Sequence, residues 1–199
     1  MERSDARERL LAAVLDQLTG QGLGDLSLRS LAAAVGTSHR MLIYHFGSKE
    51  GLLIEVVRAM EARQRVALAD LVRELDEDRS VSPVDAMARF WERLADPALW
   101  PAERLFFELY GQALQGRPGT TPFLDGIVDS WVRPLTEVVQ RFGSSPKVAA
   151  ADARLGVAVV RGLLLDLLAT GDRPAVDAAM ARFLSGYFQR VGVPEQSTH

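Results

Sequence analysis

The chain has no cysteine, which removes disulfide frameworks, thiolate metal sites and cysteine nucleophiles at once. Histidine is scarce as well. Of the three present, His39 and His45 lie six residues apart, so on one helix they would point about 120° away from each other and make a poor pair of metal ligands. No metal and no cofactor are expected. Long apolar runs are also missing: Leu163 to Leu168 is interrupted by Asp166 and is far too short to span a bilayer. The charged stretch from Met1 to Arg9 lacks the continuous apolar segment of a signal peptide. A cytoplasmic protein with no membrane partner is the expectation. There is no phosphate-cradling glycine loop, no G-x-S-x-G elbow and no cluster of histidines with carboxylates, so an enzyme finds no support.

What is present suffices for a folded core. The chain has 199 residues, of which 48% are hydrophobic and 25% charged. That is ordinary for a globular protein and too apolar for a disordered one. The formal net charge of −3 conceals a small asymmetry: Met1 to Arg65 holds nine Lys/Arg against eight Asp/Glu, and the remainder is acidic. Such a difference does not by itself suggest nucleic acid, so placement matters more than totals.

Apolar spacing is helical almost throughout, and no stretch shows the strict alternation of a half-buried strand, so an all-α protein of about nine helices is expected. The first helix spans about Asp5 to Thr19, with Leu10, Leu11, Val14, Leu15 and Leu18 on one stripe and Gly20, Gly22 and Gly24 ending it. Ser27 is placed to cap a short helix carrying Leu28, Leu31, Ala32 and Val35, which Gly36 stops. A second short helix covers Ser38 to His45. Gly47-Ser48 closes it and opens a long one from Lys49 to near Leu75. Hydroxyl-then-proline pairs at Ser82-Pro83, Thr121-Pro122 and Ser145-Pro146 mark further starts. They predict helices over Pro83 to Ala95, Ala102 to Gln115, Pro122 to Phe142 with a kink at Pro134, Pro146 to Thr170 and Pro174 to Arg190.

Two short helices joined by a glycine-containing turn have the geometry of a helix-turn-helix, whose second helix enters the major groove of DNA. Ala32 is small enough for a close crossing, Gly36 tolerates positive φ, and Leu31, Val35 and Leu42 are spaced to pin both helices. Any tight αα-corner would want the same residues.

The stretch SLRSLAAAVGTSHRMLIYHFGSKEGLL, Ser27 to Leu53, resembles the TetR family of repressors: the glycine turn, the aromatic-His-Phe end and the Ser-Lys-Glu-x-Leu-Leu start of the long helix are in register. The likeness covers about Asp5 to Met60. Further on, RGLLLDLLATGD at Arg161 to Asp172 is similar to the penultimate helix of that family.

The resemblance implies a DNA-binding domain over 1–48, a larger effector-binding and dimerisation domain over 49–193 and a flexible tail over 194–199. It implies DNA contacts from Arg29, Thr37, Ser38, His39, Arg40, Met41, Tyr44, His45 and Lys49, the last on phosphate. Arg40 has the chemistry to pair bidentately with guanine, and hydroxyls and amides at a helix start suit phosphate oxygens. Two positions depart from the family's pattern. Thr37 stands where relatives usually have valine, and Ile43 replaces a tyrosine that commonly touches the backbone, for which Tyr44 is a substitute. His45 and Tyr44 are read equally well as packing between the third and fourth helices.

The middle helices are rich in aromatic residues, including Trp100 and Phe107, most of which are core. The resemblance implies an apolar effector cavity there, with Met87, Phe90, Trp91, Leu94, Phe106, Tyr110, Phe123, Ile127 and Trp131 as candidate walls and Glu108, Gln112 and Asp129 as candidate anchors. Each of those three also fits a solvated face. The last two helices carry wide apolar stripes, Leu155, Val159, Gly162, Leu163 and Leu167 on one and Val176, Met180, Phe183, Leu184 and Tyr187 on the other. The resemblance implies a four-helix seam across a two-fold axis, with Gly156, Ala158 and Gly162 admitting close approach. Alternatively, these helices only cover their own subunit.

The function expected is a regulator, in the sense of a repressor, that binds a palindromic operator as a homodimer and is released by a small, largely apolar effector. On duplex DNA it would be nucleoid-associated. A helical carrier of hydrophobic molecules with a vestigial helix-turn-helix is the alternative.

Overall fold

The computed structural model describes residues 2–21, 27–78, 82–141 and 144–190. Among them are nine α-helices and no strand, so the chain is all-α. In order they are α1 (Glu2–Gln21), α2 (Leu28–Ala34), α3 (His39–Phe46), α4 (Lys49–Glu77), α5 (Pro83–Leu94), α6 (Trp100–Leu114), α7 (Asp129–Arg141), α8 (Pro146–Thr170) and α9 (Arg173–Arg190), with 3-10 turns at Pro97–Leu99 and Thr121–Leu124.

Most boundaries are set by local chemistry. Ser27 and Ser38 accept hydrogen bonds on their hydroxyls from the amides of Ser30 (3.1 Å) and Met41 (3.2 Å), capping α2 and α3. Ser48 does the same for α4 through the amide of Gly51 at 2.9 Å. Gly171, at φ 71, ends α8 in the left-handed region with its amide on the Leu167 carbonyl.

Three expectations need correction. α1 runs through Gly20 to Gln21 because one interior glycine costs a helix only about 1 kcal/mol; Gly22 and Gly24 lie outside the described residues, as does the tail at 194–199. α3 continues one residue past His45 to Phe46, which is buried. The helix predicted from Pro122 to Phe142 is absent as such: Thr121-Pro122 opens only a 3-10 turn, Gly126 at φ 70 redirects the chain, and α7 starts at Asp129. A start signal sets where a helix can begin. Its length depends on the residues downstream, here a glycine in a conformation no helix contains. Pro134 does fall inside α7 and removes the amide that would have bonded the carbonyl four residues back.

The chain forms two compact units, each discontinuous in sequence. The first comprises Met1–Arg63 and Pro97–Asp125, the second Gln64–Asp96 and Gly126–His199. The first unit therefore holds the helix-turn-helix together with α6 and the turn after it. Its core is built from Val14 and Leu15 of α1, Leu31 and Ala32 of α2, Leu42 and Phe46 of α3, Leu52, Ile54, Val56 and Val57 of α4, and Leu105, Phe106, Leu109 and Phe123. In the second unit α8 packs along α7 and α9, and α9 along α5. The α8 residues turned inward begin small, Ala149, Ala153 and Val157, before Leu164 and Leu167. The Trp91 indole N–H donates to Asp177 at 2.7 Å, and Arg173 bonds both that carboxylate and the Ala95 carbonyl, fastening α5 to α9 with polar bonds. No described helix is long and apolar enough to cross a membrane.

Candidate nucleic-acid interface

The turn between α2 and α3 is a Schellman motif. Gly36, at φ 69, donates its amide to the Ala33 carbonyl (3.2 Å), and Thr37 donates to the Ala32 carbonyl (2.8 Å). Thr37 is half-buried, and its backbone amide closes the turn. Leu42 is fully buried and Phe46 nearly so, one turn apart on the inner face of α3. Arg7 of α1 holds this end in place: its guanidinium lies 5.2 Å from the centroid of the Phe46 ring and pairs with Glu55 of α4 at 2.8 Å. Sequence reasoning missed this clamp, since nothing local to Arg7 points to a ring forty residues away.

With Leu42 and Phe46 turned inward, the opposite face of α3 is left to solvent. Ser38, His39, Arg40, Met41 and Tyr44 are all exposed, Tyr44 by 56%. Arg29 in the first turn of α2 and Lys49 at the start of α4 are exposed too. Among the described residues, no ion pair or hydrogen bond engages the side chains of Arg29, His39, Arg40 or Lys49. Four cationic or titratable groups, two hydroxyl-capped helix starts and an exposed phenol thus surround one short helix. Ile43 is half-buried and Tyr44 is the outward aromatic. His45 is half-buried beside Tyr44, ring centroids 5.1 Å apart, and both its ring nitrogens are inaccessible and without a hydrogen-bond partner.

The candidate effector residues separate into two groups. In the first unit Phe106, Phe107, Tyr110 and Phe123 form one aromatic cluster, with Phe106–Phe123 centroids 5.7 Å apart and Tyr110–Phe123 6.2 Å. In the second, Phe90 meets Trp131 at 6.1 Å, and Trp91, Leu94 and Ile127 are buried with Met87 half-buried. Glu108 is exposed and accepts from Gln112 one turn on at 2.9 Å, and Asp129 is exposed and pairs with Arg154 at 3.5 Å. No group of acidic or histidine residues suited to a metal occurs among the described residues.

The seam candidates divide as well. Leu167, Val176, Met180, Leu184 and Tyr187 are buried within the subunit. Leu155 and Gly162 are exposed, and Val159, Leu163 and Phe183 half-exposed. One exposed stripe of α8 reads Ala151, Leu155, Ala158, Gly162, Leu165 and Ala169, flanked by exposed Arg154 and Asp166. Leu165, 52% exposed, was not singled out from the sequence, although its spacing from Leu155, Ala158 and Gly162 is the signal that finds it.

An all-α body whose N-terminal helices form a capped helix-turn-helix with an outward cationic face defines the class of helix-turn-helix proteins. Comparison with known proteins adds to this: residues 10–56 match the model of the bacterial regulatory proteins of the tetR family. The chain is 31% identical over 81 residues to the HTH-type transcriptional regulator BetI of Ectopseudomonas mendocina (strain ymp), a match covering 41% of either protein. It therefore spans about two-fifths of that relative's length. Solved structures share the fold over nearly the whole chain. A transcriptional regulator from Rhodococcus sp. Rha1 superposes with a TM-score of 0.70 at 21% identity, covering 92% of this chain and 96% of that one. A TetR transcriptional regulator from Legionella pneumophila gives 0.66 at 19% identity over 90% and 95%. A protein from Saccharomonospora viridis crystallised with choline gives 0.62 at 22% identity over 94% and 96%.

Proposed function

We propose that the protein is a DNA-binding transcriptional regulator that acts as a repressor, binding a palindromic operator as a homodimer and releasing it when a small, largely apolar effector binds. The observation that carries this reading is the two-sidedness of α3: Leu42 and Phe46 anchor it while Arg40, His39, Met41 and Tyr44 stand in solvent. A helix held only to fill a corner needs no such outer face. Phosphate contacts from Lys49, Arg29 and the Ser38 end of α3 set the register, and Arg40 supplies base discrimination.

Dimerisation is supported by the apolar stripe on α8, which exposed Arg154 and Asp166 flank. Two-fold symmetry brings two recognition helices to successive major grooves about 34–36 Å apart. The effector reading is supported by the aromatic clusters. Choline, held by the Saccharomonospora viridis protein, is a natural first probe, because a quaternary ammonium is recognised by aromatic faces. Coupling is reciprocal, so an effector that weakens operator binding by about 5–150-fold is itself weakened by DNA to the same extent.

The test is selection of bound duplexes from a random library, followed by titration with variants. Lys49→Ala should weaken selected and random duplexes alike, and Arg40→Ala should cost roughly 1–3 kcal/mol on the selected duplex alone. An unchanged preference in Arg40→Ala removes Arg40 from the reading role. Absence of any enriched duplex, together with tight binding of apolar ligands, would favour the carrier alternative.

A further inference from the structure

Outside the two-helix motif, the segment after α6 is held beside the start of α4. α6 ends on a second Schellman motif: the amide of Gly116, at φ 69, reaches the Ala113 carbonyl (3.0 Å), and that of Arg117 reaches the Gln112 carbonyl (3.1 Å). Gly119 at φ 81 turns the chain again. Thr120, only 1% exposed, donates both its amide (3.2 Å) and its hydroxyl (2.8 Å) to the Arg117 carbonyl. The loop is thus closed on itself by its own hydrogen bonds. It is also fastened to α4: a methyl group at Gly119 would lie 3.6 Å from the β-carbon of Glu50, and the Pro122 carbonyl accepts from the Arg58 guanidinium at 2.6 Å. Glu50 adjoins Lys49.

Arg117 is exposed, and among the described residues its guanidinium makes no ion pair or hydrogen bond. Its backbone is fixed by three hydrogen bonds while its charge stands unused in solvent. A single residue, Pro118, separates it from Gly119, so its α-carbon lies within about 7 Å of the point where the loop touches α4. Phosphates along one DNA strand recur about every 3.4 Å of helix axis. A strand held at Lys49 would thus offer further phosphates, within a few nucleotides, to a cation carried beside it.

We infer that Arg117, carried by the loop after α6 and not by the helix-turn-helix, is a further phosphate contact that extends the DNA interface beyond the strand segment held at Lys49. The inference rests on the DNA-binding reading above. It also places a DNA contact on the loop that follows the helix carrying Phe106 and Tyr110, so a shift of α6 would withdraw a cation from DNA without passing through α3.

The experiment uses the full chain, the library-selected duplex and a random duplex of equal length, with fluorescence anisotropy measured over a series of KCl concentrations. For Arg117→Ala, the slope of log affinity against log salt should shrink by about 0.9 per protomer. Affinity should fall by about 3–10-fold on both duplexes, leaving their ratio unchanged, since a phosphate contact carries no sequence information. Arg117→Lys should restore most of the slope and Arg117→Glu should lower it further. Arg117→Gln, which keeps a long polar side chain without charge, should match the alanine variant and guards against a folding effect. Ethylation interference should lose a flanking phosphate in Arg117→Ala and a different one in Lys49→Ala. If Arg117→Ala keeps the wild-type slope while Lys49→Ala loses its share, the inference fails and the DNA-binding reading stands. If the wild type binds neither duplex in a salt-dependent way, both fall.

Discussion

Helices α3 and α8 both anchor themselves by one face and leave the other to solvent, yet the exposed faces are chemical opposites. On α3 the outward residues are Ser38 at the cap, then His39, Arg40, Met41 and Tyr44: a titratable ring, a fork of donors, a thioether and a phenol. On α8 one outward stripe reads Ala151, Leu155, Ala158, Gly162, Leu165 and Ala169, recurring at alternating intervals of four and three with no charge within it, and exposed Arg154 and Asp166 flank it. A surface that recognises a polyanion must present donors. A surface that meets another helix must be apolar and low enough for backbones to approach. Nothing lies within 4 Å of where a side chain on Gly162 would begin, so the room for that approach exists. Exposure alone does not distinguish the two faces; the residue types do.

The sharpest way to break this comparison is to charge the second face. Leu165→Glu should leave the subunit folded, because Leu165 is 52% exposed and fills no part of its core. It would place an unpaired carboxylate in the proposed seam and weaken association at least a hundredfold, equivalent to about 3 kcal/mol. Sedimentation should show monomers, and operator affinity should fall with them. A wild type that sediments as a monomer at micromolar concentration, or a dimeric Leu165→Glu, removes the seam from α8.

The neighbouring inward residue should behave in the opposite manner. Leu167 is fully buried, and Leu167→Ala should cost the subunit about 2–5 kcal/mol by opening a cavity, read as a lower denaturation midpoint. Leu165→Ala should cost the subunit's own stability less than about 0.5 kcal/mol. Equal losses at the two positions would mean that the two faces of α8 are not distinct.

How far these faces were legible in advance depended on which cause acted. Caps and the glycine turn were readable, since Ser27, Ser48 and Gly36 act within four residues of themselves. The helical period identified Leu42 as core for the same reason, whereas the outward place of Arg40 came from the family resemblance. On α8 and α9 the period was visible but not its assignment. Leu167, Val176, Met180, Leu184 and Tyr187 form a stripe as apolar as any seam, and only tertiary packing shows that they cover their own subunit. Thr121-Pro122 misled because Gly126, a few residues on, takes a positive φ that no local rule enforces. The ring over Arg7 and the loop beside Glu50 join residues forty and seventy positions apart, beyond the reach of any periodic argument.

On α3 a smaller change tests whether its outward face is set by its cap. Ser38→Ala removes the acceptor of the Met41 amide and should cost about 0.5–2 kcal/mol of stability. Because the same residue begins the proposed recognition helix, operator affinity should drop while the effector affinity of the free protein stays constant. An unchanged melting temperature would show that the Ser38 hydroxyl does not hold the helix start.

The smallest effect separates burial within the subunit from burial by a partner, and Tyr187 reports it. Its phenol is pushed up from 10.0 to about 12, first by burial and then by the carboxylate of Asp152, with Arg190 acting in the opposite sense. The ring sits against Phe183 at 5.8 Å and Phe188 at 5.3 Å. Because the folded state holds the proton more tightly than the unfolded chain, Tyr187 contributes its full share of stability below pH 10. That share is lost as the unfolded state ionises first, progressively between about pH 10 and pH 12, with no further change above. Ultraviolet titration of the phenols, with Tyr187→Phe subtracted to isolate this ring, should place its midpoint near 12. If the burial belongs to the subunit alone, Leu165→Glu should titrate identically, although it no longer associates. A midpoint that falls toward 10 in the dissociated variant would mean that the partner covers Tyr187, and the division of α9 into an inward face and a seam would have to be redrawn.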